Sequence, residues 1–343
     1  MTETVFAPDF KEQPYWLEEA PWPSASEGTL PKTADVVVIG SGYTGLSAAL
    51  TLARAGRAVV VLEADELGYG CSSRNGGMVG GLLKVPYDEL IARYGQAKAV
   101  ALLRESLNAL DYTVHLIESE AIDCAHQKVG KFLGAWRPSH YERLARALDF
   151  LRRELDYDAD MVPRAEQHTE IGSELFHGGR IENRQTALHP ARYQRGLLDR
   201  VQAAGATVLG RTPARAVARE ALAITVSTPR GDITARNVIV ATNGYTTSAL
   251  PFAQRRLIPV GSYMIATEPL PAGLMDRLIP KRRMIVDTRK MVGYYRPSPD
   301  GTRILFGTRI SLAELPPRVA APRVLALMRR IFPELAAIRV SHA

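Results

Sequence analysis

Gly40, Gly42 and Gly45 stand in a GxGxxG spacing, with Glu63 18 positions beyond the last of them. That spacing is suited to phosphates. Gly40 allows a tight turn, Gly42 lets the main chain reach a pyrophosphate, and Gly45 lets a helix pack closely on a strand. A helix beginning there offers free N–H groups and a partial positive charge to the phosphates. Glu63 is placed to accept hydrogen bonds from ribose hydroxyls. A second cluster, SSRNGGMVGG over residues 72–81, holds four glycines in ten positions. Glycine is costly to order and adds no side chain to a core, so such a cluster marks main chain that bends sharply or approaches something closely.

The surrounding elements decide what is approached. ADVVVIG, from Ala34, is an apolar run of strand length, YTGLSAALTLARAG has helical spacing with a glycine stop, and RAVVVLEA is a second strand. This βαβ unit implies a parallel sheet covered on both faces. A nicotinamide-binding domain normally continues through further βα units. This chain instead enters the second glycine cluster and then predicts helices over 96–120 and 140–155, with KVGKFLGAW as a strand between them. HPARYQRGLLDRVQAAGATVLG predicts a helix, with Pro190 in its first turn, and a strand near Val208. AVARE, LAITVSTPRGDITA and NVIVATNG predict alternating strands, the last buried, and GSYMIATEPL and the hairpin-like GYYRPSPDGTRILFG follow Leu250. An interrupted sheet with two glycine-rich segments suits a dinucleotide whose reactive ring lies far from its adenine, beneath a second domain. FAD is the expected cofactor and NAD the alternative. Ser72, Ser73 and Asn75 can hydrogen-bond phosphate or ring carbonyls, while Gly76 and Gly77 let the main chain lie on a flat isoalloxazine.

With 343 residues, 46% of them hydrophobic, the chain can fill the cores of two domains. No apolar run reaches the roughly 18 residues needed to cross a bilayer, and MTETVFAPDFKEQPYW resembles no secretory leader. Two cysteines, Cys71 and Cys124, make no disulfide framework. A cytoplasmic location is expected. The net charge of +7 comes from scattered arginines without the aromatic interleaving of single-strand binders, so neither nucleic acid nor membrane is an expected partner.

VVVIGSGYTGLSAALTLARAGRAVVVLEA, GYGCSSRNGGMV, TALHPARYQRGLL, NVIVATNGYT, SYMIATEPL and YYRPSPDGTRILFGTR together resemble the D-amino-acid-oxidase-like family of FAD-dependent amine oxidoreductases, nearest to its gamma-glutamylputrescine-oxidising branch. The likeness runs from about residue 15 to the end. It implies a mixed α/β (α+β) fold with a discontinuous Rossmann-like FAD-binding domain of the glutathione-reductase type and an antiparallel-sheet substrate domain. The expected division is a lead segment 1–34, an FAD-binding domain 35–90 plus 178–250, and a substrate domain 91–177 plus 251–343. By the same resemblance FAD contacts fall at Gly40, Ser41, Gly42, Tyr43, Thr44, Gly45, Glu63, Ala64, Ser73, Asn75, Gly76, Gly77 and Met78. Main-chain groups around Val217 would meet the adenine, and Ala241 and Thr242 would form a second turn near the nucleotide. Tyr263, Tyr295 and Arg296 are the substrate-side candidates; an arginine can hold a carboxylate and tyrosines can cage an amine. Strand alternation forbids Tyr294 and Tyr295 from both facing the pocket. The implied chemistry is removal of hydride from the carbon bearing a small amine, with oxygen or another acceptor taking the electrons, and no strong general base is demanded.

Some features mislead or depart from the family. GATVLGRT at 205–212 imitates a phosphate loop but has Arg211 for the lysine and Pro213 where a helix should start. Cys124 and His126 lack companions for a metal site, and Cys71 is expected to be a small buried side chain. Sarcosine-oxidising relatives carry a lysine near the strand Arg303–Gly307, and RILFG has none, which puts oxidase activity in doubt and leaves a dehydrogenase open. Relatives also continue past AAIRVSHA with a tryptophan-glycine segment, a glycine-rich stretch and a closing helix. Their lack in this sequence leaves two further expectations, a non-catalytic FAD-binding remnant or half of a split enzyme.

Overall fold

The computed structural model describes residues 5–24, 28–220, 223–311 and 314–343. In chain order the strands are β1 (Phe6–Lys11), β2 (Thr33–Ile39), β3 (Val59–Leu62), β4 (Met78–Val79), β5 (Lys131–Gly134) and β6 (Ala159–Val162). Next come β7 (Gly179–Glu182), β8 (Thr186–Ala187), β9 (Thr207–Leu209), β10 (Ala216–Glu220), β11 (Ala223–Thr228) and β12 (Gly231–Val240). The last are β13 (Tyr263–Thr267), β14 (Met284–Asp287), β15 (Gly293–Pro297), β16 (Ile304–Thr308) and β17 (Val340–His342). The helices are α1 (Tyr43–Arg54), α2 (Tyr87–Tyr94), α3 (Gln96–Ser119), α4 (Pro138–Leu155), α5 (Pro190–Ala203), α6 (Pro251–Gln254), α7 (Leu274–Leu278) and α8 (Pro317–Ile331).

Two sheets carry the architecture. The smaller runs β10-β11-β12-β2-β3-β9, with β12, β2, β3 and β9 parallel and β10 and β11 antiparallel beside them. Val36, Val38, Val59, Val61 and Val208 pack with Leu46, Leu50, Leu197 and Val201 of α1 and α5. Val37, Ile39, Val60 and Leu62 face the other way, onto Val226 and Ile233. Alternate residues of one apolar run thus fill two cores, as a parallel sheet covered on both faces requires. His189 caps α5 by accepting the Arg192 N–H at 3.2 Å, and Pro190 occupies the first turn.

The larger sheet runs β1-β17-β13-β16-β15-β14-β5-β7-β6 and is mostly antiparallel, with β14 parallel to β5 and β1 parallel to β17. Its outer face packs on α8 through Phe306, Tyr295, Ile265, Val324 and Met328. Two boundaries shift from the expected ones. The lead segment contributes edge strand β1 to the larger sheet. Segment 178–250 does not lie wholly with the nucleotide sheet, because β7 pairs β5 and β6 across the larger sheet.

Candidate functional site

At the phosphate turn each glycine has a steric reason. Gly40 has φ +111°, and a Cβ there would stand 2.7 Å from the Ala241 carbonyl oxygen. A Cβ on Gly45 would come within 2.0 Å of the Gly40 carbonyl oxygen, which is the close helix-to-strand approach. Glu63 is held from both ends of its carboxylate. Oε2 accepts the Ser41 N–H at 2.9 Å and the Ser41 hydroxyl at 2.6 Å, and Oε1 accepts the Ala64 N–H at 2.8 Å. Ser41 is completely buried, and its Oγ also accepts the Gly68 N–H, so its side chain orients Glu63 and does not face a ligand. A cavity of about 430 Å³ lies over this turn, walled by Gly40, Gly42, Thr44, Glu63, Ala64, Ala241 and Thr242.

Val217 is not on that wall. It belongs to edge strand β10, paired on one side with β11, and its half-buried side chain packs against the sheet core, while Ala214 and Arg215 line the cavity. The strand starts only at Ala216, and the main chain just before it is turned toward the cavity.

The two glycine segments meet. The Tyr43 N–H, first in α1, donates to Ser72 Oγ at 3.0 Å, so the hydroxyl oxygen stands where a phosphate oxygen would bond. Asn75 locks the following loop: its Nδ2 donates to the Cys71 and Ser72 carbonyls at 3.1 and 3.0 Å, and its Oδ1 accepts the Gly77 N–H at 2.8 Å. Gly77 has φ +62°, and a Cβ there would sit 2.2 Å from the Leu188 carbonyl oxygen. Met78 continues into β4, paired with β8. A second cavity, of about 1260 Å³, shares Tyr43 and Thr44 with the first and has Asn75, Gly77 and Met78 on its wall.

Two nearby side chains differ from expectation. Ser73 is buried and turned away, its Oγ donating to the Gly68 carbonyl at 2.7 Å and accepting the Trp22 indole N–H at 3.1 Å. Cys71, expected to be buried, is exposed and lines the smaller cavity.

On the larger sheet, strand alternation sorts the candidates. Tyr263 and Tyr295 both pack on the α8 side, Tyr295 completely buried and stacked on Phe306 with ring centroids 4.9 Å apart. Neither points toward the glycine loop. Tyr294, the neighbour on the opposite face, does. Its ring lies between Gly307 and Gly76, where added Cβ atoms would come within 2.2 and 3.2 Å of it, and its hydroxyl is 2.9 Å from exposed Ser262 Oγ. Burial raises the Tyr294 phenol above its ordinary value, which keeps it protonated. Arg296 shares that face but is almost wholly buried, with Nη1 donating at 2.9 Å to both the Gly77 and Leu188 carbonyls. Burial lowers its pKa to about 10, so it stays a cation at neutral pH, and its donors are turned to three main-chain oxygens and to Gln127 Oε1 at 3.3 Å. Sequence reasoning weighed Tyr294 against Tyr295 and kept Tyr295 as the candidate, and it passed over Ser262.

A glycine-turn nucleotide sheet, joined through a second glycine loop to a large, mostly antiparallel sheet, is the architecture of a flavoprotein oxidoreductase. Over residues 35–343 the chain matches the FAD dependent oxidoreductase (DAO) family and belongs to it. It is 30% identical over 319 residues to the Haemophilus influenzae protein named as a probable oxidoreductase, OrdL, covering 90% of this chain and 72% of that one. It is 29% identical over 311 residues to the gamma-glutamylputrescine oxidoreductase of Escherichia coli K12, with the same coverage. Among solved structures, the L-proline dehydrogenase of P. horikoshii superposes with a TM-score of 0.72 at 17% identity, covering 91% of this chain and 80% of that one. The protein is an FAD-dependent oxidoreductase. The residues present fit the nucleotide end of that cofactor: a turn with no room for Cβ atoms at Gly40 and Gly45, an anchored carboxylate and a cavity of about 430 Å³ over both. No helix among the described residues is long and apolar enough to cross a membrane.

Proposed function

We propose that the protein oxidises the C–N bond of a small amine or amino acid, of the gamma-glutamylated polyamine type, by hydride removal from the carbon bearing nitrogen. The likeness to the gamma-glutamylputrescine oxidoreductase supports the substrate class. The observation that carries the reading is the polar pair Tyr294 Oη and Ser262 Oγ, 2.9 Å apart, with the Tyr294 ring against Gly76 of the glycine loop. Bound FAD supplies the hydride acceptor and the electron outlet. The smaller cavity would hold the adenosine and pyrophosphate, with Glu63 on the ribose and α1 at the phosphates. Asn75, Gly76 and Gly77 would flank the ring. The protonated Tyr294 phenol and Ser262 would orient the substrate nitrogen, whose lone pair, once the nitrogen is uncharged, assists hydride departure. The two free cysteines agree with a reducing, cytoplasmic setting.

The test is anaerobic mixing of the purified flavoprotein with a panel of amines and amino acids. Bleaching of the visible flavin band by a gamma-glutamylated diamine, about tenfold weaker binding of it in Tyr294→Phe, and no such change in Tyr263→Phe are expected. A stable flavin band that no amine bleaches overturns the proposal and selects a protein that binds FAD without turnover.

A further inference from the structure

Trp16 is completely buried in the short turn Tyr15–Leu17, within a cluster formed by Ala191 of α5, Ala266 of β13 and Leu305 of β16. Its indole N–H is not spent inside that cluster. It donates to the Asn75 carbonyl at 2.7 Å, in the loop between Ser72 and Met78. Two residues on, the Gly77 carbonyl accepts from Arg296 Nη1 at 2.9 Å, and the Arg296 guanidinium lies 5.8 Å from the Trp16 ring. Two residues back, the Ser73 hydroxyl accepts from the Trp22 indole at 3.1 Å. Two tryptophans of the lead segment and one arginine of the larger sheet therefore hold consecutive parts of the same glycine loop.

The peptide unit gives this a direction. A trans peptide is planar, with its C=O and N–H pointing to opposite sides. With the Asn75 oxygen tied to Trp16, the Gly76 N–H is turned away from the Trp16 cluster. We propose that Trp16 is a positioning residue for the flavin: by fixing the Asn75–Gly76 peptide it aims the Gly76 N–H at the ring and thereby sets the ring's reduction potential. This rests on the loop facing the flavin, as proposed above. A fixed N–H donor interacts more strongly with the electron-richer reduced ring than with the oxidised one. Loss of the tie lets the peptide rotate and weakens the reduced complex more, so the potential falls.

The experiment titrates apoprotein with oxidised and, anaerobically, with reduced FAD, in the unaltered chain and in Trp16→Phe, with thermal melting of each apoprotein as the folding control. The dissociation constant for oxidised FAD is expected to rise about fivefold in the variant, and that for reduced FAD by several-fold more. Where Trp16→Phe does not fold, 3-benzothienylalanine at position 16 keeps the indole's shape and removes only the N–H, with the same expectation. Equal weakening of the two forms, as a merely structural role gives, or no weakening, overturns the proposal. If the unaltered apoprotein binds neither form, the flavin reading of the loop falls and this proposal with it.

Discussion

The phosphate turn and the ring-facing loop are both glycine clusters, yet they are built on different principles. In the first, Gly40 and Gly45 are dictated by neighbours within a few residues or at the end of the adjacent strand, and the chemistry is that of a helix N-terminus. In the second, the loop has little regular structure of its own. It is held by Asn75 from within and by Trp16, Trp22 and Arg296 from the lead segment and the larger sheet. A site written into local backbone should fail by steric collision, whereas one held from outside should fail when a distant donor is removed.

That contrast orders the expected effects. Gly45→Ala forces a methyl into the Gly40 carbonyl, and the melt should show a loss of about 3 kcal/mol together with loss of FAD from the purified protein. Arg296→Leu should cost about 2 kcal/mol by denaturant titration, because it strands the buried Leu188 carbonyl and removes one of the two partners of the Gly77 carbonyl. If Arg296→Leu instead leaves stability intact while abolishing amine binding, the correction of its role is wrong.

A pH effect should also arise at this junction. Burial, with the charges of Arg192 and Arg296, lowers His189 to about 4 from its ordinary 6.5. The unfolded chain therefore binds a proton that the folded one refuses between those values. Stability is fully present above pH 6.5 and is lost as pH falls toward 4, by at most about 3 kcal/mol. His189→Asn keeps a capping side chain for α5 and removes the titration. Melting curves across that window should be flatter for the variant, and an unchanged slope would assign the pH dependence elsewhere. The smallest effect belongs to Val217→Ile, which should leave FAD affinity within twofold, since that half-buried side chain packs against the sheet core and is not on the cavity wall.

How much was legible in the sequence follows the same division. The βαβ unit, the turn and the Glu63 position could be read because spacing alone determines them. Tyr294 and Tyr295 are adjacent and alike, and a strand sends them to opposite faces, so only the pairing with β16 shows which meets the glycine loop. Ser72 and Ser73 pose the same problem in a turn. Arg296 looked like an anion binder because nothing in GYYRP reveals that two main-chain oxygens far away in sequence will claim it. The edge strand β1 was hidden for a similar reason, its partner being β17 at the other end of the chain.

The central claim, that the two glycine loops hold opposite ends of one FAD, is tested most directly by comparing FAD with ADP in Gly42→Ala and Gly77→Ala. Equilibrium titration should show Gly42→Ala weakening both ligands by a similar factor. Gly77→Ala should weaken FAD by about tenfold or more while leaving ADP unchanged. Unaltered FAD affinity in a folded Gly77→Ala protein would contradict the account, because the second loop would then stand apart from the flavin.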